Sequence, residues 1–185
     1  FADGAFSAAF VPRFSRRWET DDNPVGFATQ ALSGLAFALL ILGAVAMVFR
    51  PGLVWLTAGG FVGDARFNLT VDYGRIVFPY ILLISLTALF SGVLNATGRF
   101  AAAAAAPVFL NIFVCISMAW AAYSGGEVIR WLIWTVPVAG VAQLALVWVA
   151  ADRAGIKLRP SRPRWTPEMK RLVAVAIPAA LAGGV

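Results

Sequence analysis

Of 185 residues, 61% are hydrophobic and 13% are charged. This excludes an ordinary soluble globule, which carries about 25% charged residues, and it indicates a chain dissolved in a bilayer. The absence of histidine and the single Cys115 exclude an intramolecular disulfide and remove the commonest metal ligand and general base. The nine acids lie mostly in loops, where they build neither a metal cluster nor a catalytic triad.

The chain begins FADGAFSAAFVPRFSRR. Asp3 and Gly4 stand there as a small polar patch, either part of a site or the polar end of a helix. Phe6, Phe10, Phe14 and Trp18 recur every four residues, which puts them on one stripe of a helix that Pro12 would kink. Arg13 and Arg16 lie off that stripe. The segment 5–22 therefore reads as a cytoplasmic loop carrying an interfacial helix, or as the end of a span with snorkelling arginines.

A first apolar run covers 26–49, long enough to cross about 30 Å of hydrocarbon at 1.5 Å per residue. The following stretch to Arg75 reads as a long outer loop, with Trp55 and Phe61 at the interface. A second run, 76–97, carries Thr87, Ser91, Asn95 and Arg99 at four-residue intervals down one face, beside Gly92. Amides and hydroxyls avoid lipid, so this face either packs on a neighbouring helix or lines a path for substrate.

Runs 102–123 and 129–151 follow, with Asn111 and Gln143 as single amides. Pro79, Pro107, Pro137 and Pro178 each free a carbonyl within a run, as transporter helices commonly do. The loop 152–171 is rich in proline and arginine, and Thr166, Pro167 and Glu168 mark a helix start. A fifth run, 172–185, holds only 14 residues, so the chain reads as a piece of a longer protein. The predicted fold class is all-α, a polytopic transmembrane bundle of about five spans.

Orientation follows from the basic residues. Loops 13–22, 98–101 and 152–171 hold 11 of the 15 lysines and arginines, and alternating spans place all three loops on one side. The positive-inside rule makes that side cytoplasmic. It also accounts for the net charge of +6 without nucleic-acid binding.

The strings FADGAFSAAFVPRF, FPYILLISLTALFSGVLNATGRF, APVFLNI and IPAALAGGV resemble the MurJ (MviN) family of bacterial lipid II flippases, in the MOP exporter superfamily. The resemblance runs over essentially the whole chain, from the end of the family's second helix into its seventh. It implies a fourteen-helix protein of two pseudo-symmetric lobes around a cationic cavity, in the bacterial inner membrane. Such a protein flips the undecaprenyl-pyrophosphate-linked peptidoglycan precursor, lipid II, to the periplasmic leaflet by alternating access. No cofactor, metal or nucleic acid is implied; the partners are lipid II, membrane lipids and the cell-wall synthesis machinery.

By the same resemblance, Asp3 and Gly4 match the family's (E/D)GAF motif at the cytoplasmic gate. Asp3 would pair there with an arginine from a preceding segment. Asn95 and Arg99 match the short turn after the family's fourth helix, and with Thr87 and Ser91 they complete the candidate gate and substrate residues. Arg75 stands where the family often has a basic residue before FPYI, and snorkelling accounts for it. The competing readings are another exporter of the superfamily, for drugs or polysaccharide-linked lipids, and a non-transporting membrane protein of cell-wall assembly.

Overall fold

A computed structural model describes residues 2–20, 22–49 and 65–159, with side chains for 10–20, 22–45, 47–49, 73–77 and 79–159. Five helices follow in order: α1 (Ala2–Thr20), α2 (Pro24–Val48), α3 (Ala65–Ala96), α4 (Phe100–Ser124) and α5 (Val128–Arg153). No strand occurs among the described residues. The four from α2 to α5 are long and apolar enough to cross a membrane. Helices are what hydrocarbon demands, because each span must satisfy its own backbone groups. The interfacial segment around Trp55 and Phe61, the helix start at Thr166 and the fifth run all lie outside the described residues.

Two helices begin earlier than their apolar or aromatic patterns. The backbone of α1 is helical from Ala2, so Asp3 and Gly4 sit within a helix. Helix α3 begins at Ala65, well ahead of its apolar stretch Tyr73–Ala96. Its 32 residues reach about 48 Å at 1.5 Å each, so part of it extends past a 30 Å hydrocarbon layer unless it tilts steeply.

Local chemistry sets the reversals. Asn23, in the left-handed region at φ 42°, caps α2 by accepting a hydrogen bond from the Gly26 amide at 3.1 Å, and Pro24 fills the first helical position. A Cβ at Gly26 would meet the Asn23 amide group at 2.5 Å, so the cap and the glycine belong together. Replacing Asn23 with alanine removes the cap and places a Cβ in left-handed backbone. We expect a loss of about 1–2 kcal/mol, read as a lower unfolding midpoint of the protein in detergent, with Asn23→Gly losing less. An Asn23→Ala midpoint equal to the parent's would dismiss the cap.

Helix α3 ends at Gly98, φ 76°, where the Arg99 amide reaches the Leu94 carbonyl at 2.8 Å and the Gly98 amide reaches that of Asn95 at 3.1 Å. Helix α5 ends the same way at Gly155, φ 81°, with Ile156 bonded back to Ala151 and Gly155 to Asp152. Both are Schellman closures, which need a residue free of Cβ strain. The first lets the chain reverse in three residues and lays α4 antiparallel to α3.

The best-buried part of the core lies at the end of the bundle where α2 and α4 begin and α3 and α5 finish. Phe10 and Phe14 are fully buried there, and Phe10 stacks on Phe27 with centroids 5.6 Å apart. Of the aromatic stripe of α1, Phe10 and Phe14 are thus protein core, whereas Trp18 is exposed. Arg17 lies over the Phe27 ring at 4.9 Å and its guanidinium is 3.8 Å from the Asp22 carboxylate. Val11 packs against Gly92 of α3, where a Cβ would stand 3.0 Å from its methyl.

Helices α3 and α5 approach closely at Gly140. Helix α4 is peripheral; Val108, Ile112, Ile116 and Trp120 are exposed along it, an apolar surface suited to lipid or further helices. At the end of the bundle away from that core, Trp120 lies within 6.3 Å of Tyr123 and Trp131, as in an interfacial aromatic belt.

Candidate functional site

The four-residue spacing of Thr87, Ser91, Asn95 and Arg99 places them on one face of α3 and just beyond it, but the fold divides that face in two. Thr87 and Ser91 line a groove between α3 and α4, floored by α5. Asn95 and Arg99 stand exposed at the α3–α4 reversal, Arg99 as the residue preceding α4, its side chain making no capping bond. Arg99 at the basic end is therefore not brought into the groove with Thr87.

The groove measures about 360 Å³ and is lined by Tyr80, Ile84, Thr87, Ser91, Pro107 and Gln143, together with small and aliphatic neighbours. Thr87 is buried and its hydroxyl donates to the Leu83 carbonyl at 2.8 Å, one turn back on its own helix. Gln143, only 1% exposed, ties the three helices together. Its Nε2 donates to the Ala106 carbonyl of α4 at 2.8 Å, and its Oε1 accepts from the Tyr80 hydroxyl of α3 at 3.5 Å, the long limit of a hydrogen bond. Such ties replace the hydrophobic drive that helices lack in lipid.

Asn111 had the same standing as Gln143 in the sequence, yet it faces outward from α4 and joins nothing in the groove. Tyr80 is the participant that sequence reasoning passed over. Its only signal was a phenol inside an apolar run, next to Pro79, where a buried hydroxyl requires a partner.

Charge collects elsewhere. No lysine or arginine lines the groove. Arg13, Arg16, Arg17, Arg99, Arg153, Lys157 and Arg159 gather at the basic end, and Arg13 has a buried Nη1 without a hydrogen-bond partner. Asp3 and Gly4 are placed by backbone alone, in the first turns of α1. Among the described residues, no three of the acids and thiols come close enough to hold a metal ion.

A multi-pass helical bundle with a neutral intramembrane groove and a basic rim is the arrangement in which comparison with known proteins becomes informative. The family model described as "Lipid II flippase MurJ" matches residues 1–185. A "Probable lipid II flippase MurJ" of Rhizobium tropici is 43% identical over 192 residues, covering all of this chain and 36% of that protein. One from Rhizobium meliloti (strain 1021) is 44% identical with the same coverage. The "Lipid II flippase MurJ" of Burkholderia cenocepacia is 36% identical, covering all of this chain and 37% of its own length. The chain thus spans little more than a third of the length of these relatives. With its helices, its groove and its whole length accounted for, the chain belongs to the lipid II flippase MurJ family.

Proposed function

We propose that this chain works within a transporter that flips lipid II from the cytoplasmic to the periplasmic leaflet of the bacterial inner membrane. The observation that carries the reading is the family match over residues 1–185. The charge distribution supports it: seven cations at the basic end of the described bundle face three acids, Glu19, Asp22 and Asp152. That end lies in the cytoplasm by the positive-inside rule.

Lipid II presents a diphosphate and a sugar–peptide head, and neither crosses hydrocarbon unaided. Transfer requires a hydrated cationic path for the head, and arginine suits the diphosphate because its planar fork donates several hydrogen bonds at once. The groove between α3 and α4 holds no cation and is too small for the head. Helices α2 to α5 act instead as the scaffold of one lobe, knitted by Gln143, against which α1 is set at the cytoplasmic end. Asp3, at the start of α1, is the gate residue; its carboxylate pairs with an arginine when the gate closes and yields to the anionic head when it opens.

The test is depletion of the full-length protein in its own bacterium. Lipid II should accumulate on the cytoplasmic face, externally accessible lipid II should fall, and cells should lyse. Undiminished external lipid II after depletion overturns the reading.

A further inference from the structure

The α3–α4 groove has a chemistry that the flipping of a charged head does not use. Its volume of about 360 Å³ falls within the range of small-molecule sites, about 300–1,000 Å³. Water alone does not suit it. At about 30 Å³ each, a dozen molecules would need two to four polar partners apiece, and the lining offers four polar side chains among alanines, Ile84, Pro107 and Leu110.

Two groups of the lining keep hydrogen-bonding capacity beyond the helix ladder. A primary amide has two donor hydrogens and two acceptor lone pairs. Gln143 uses one hydrogen on Ala106 and one lone pair on Tyr80, which leaves one of each in a side chain 1% exposed. Pro107 has no N–H, so the Ala103 carbonyl one turn earlier lacks its helical donor. Ala103 and Gln143 both line the groove. The residue carrying a spare donor and the one carrying a spare acceptor thus line one apolar space.

Depth narrows the ligand further. Gln143 lies ten residues before the end of α5 at Arg153, about 15 Å along the axis, near the middle of a 30 Å hydrocarbon layer. A phospholipid keeps its polar groups at the interface and brings only hydrocarbon to that depth. The absence of any cation in the lining disfavours phosphate.

We propose that the groove binds a small, mostly apolar molecule bearing one hydroxyl or amide, whose polar group engages Gln143 and the Ala103 carbonyl while its body lies between α3 and α4. This site stands independently of the flippase reading, because it rests on the groove alone.

The experiment photolabels the full-length protein in phospholipid nanodiscs with a diazirine analogue of 1-octanol. Trypsin cuts after Arg75, Arg99, Arg130 and Arg153, which separates the α3 wall, the α4 wall and the α5 floor into different peptides. Label should concentrate on the two wall peptides. Unlabelled 1-octanol should reduce it about tenfold, whereas n-octane at equal membrane concentration should not, since the difference is one buried hydrogen bond. Gln143→Leu should reduce labelling by a similar factor, and Ser91→Phe should abolish it by filling the space.

Should Gln143→Leu fail to fold, Ser91→Phe and the octanol–octane comparison still decide. Label spread evenly onto the α2 peptide, equal competition by octane, or unlabelled walls (a lipid chain or another helix in the groove) would each overturn the proposal.

Discussion

Gly140→Val is expected to destabilise the bundle by about 3 kcal/mol or more, the upper end for overpacking a tight interior. A Cβ at this position would stand 2.7 Å from the Tyr80 ring and 3.1 Å from a Leu83 methyl, and valine adds two methyls beyond it. Moving the ring also lengthens the already long contact from its hydroxyl to Gln143, which holds the Ala106 carbonyl. Pushing α3 from α5 therefore loosens the tie to α4 as well. Gly43→Val is the internal control, since a Cβ there meets nothing within 4 Å. The measurement is the unfolding midpoint of the two variants of the full-length protein in detergent. Equal midpoints for both would show that α3 and α5 do not pack through Gly140.

Asp3→Ala in the full-length protein is expected to abolish growth complementation while leaving membrane insertion intact. The expectation rests on the proposed gate at the cytoplasmic end. Seven residues after Asp3, Phe10 is buried against Phe27 of α2, so the start of α1 continues into a segment joined to the lobe. Asp3→Glu keeps the charge and should retain growth. Asp3→Asn keeps the shape without the charge and should fail as alanine does. Normal growth with Asp3→Ala, at normal expression, would reduce Asp3 to an ordinary residue near a helix start.

Gly140 concerns packing within the lobe, and its failure would leave the transport reading standing. Asp3 concerns the working cycle, and its failure would leave the bundle standing. Gln143 belongs to the packing, as the tie between three helices, and is also the polar group facing the groove.

The class of the protein and its helical character were legible in the residues, since hydrocarbon admits so few backbone solutions that long apolar runs have one meaning. The charge asymmetry was legible for a similar reason: basic residues are counted, not folded. The reversal at Gly98 could also be read locally, because a left-handed closure needs only neighbouring backbone groups.

What covers a face could not be read, because periodicity names a side of a helix and never its neighbour. Asn111 and Gln143 are equivalent amides in equivalent runs, yet one faces outward and the other is enclosed by three helices. Thr87 and Arg99 share a stripe, but the helix ends at Ala96 between them, which leaves one in the groove and the other past the reversal on the basic rim. Phe10 and Phe14 fit a membrane surface as well as a core by pattern alone; the fold joins them to Phe27, Leu89 and Phe90 in one buried cluster. Burial depends on contacts between residues distant in sequence, and only the packed helices bring those together.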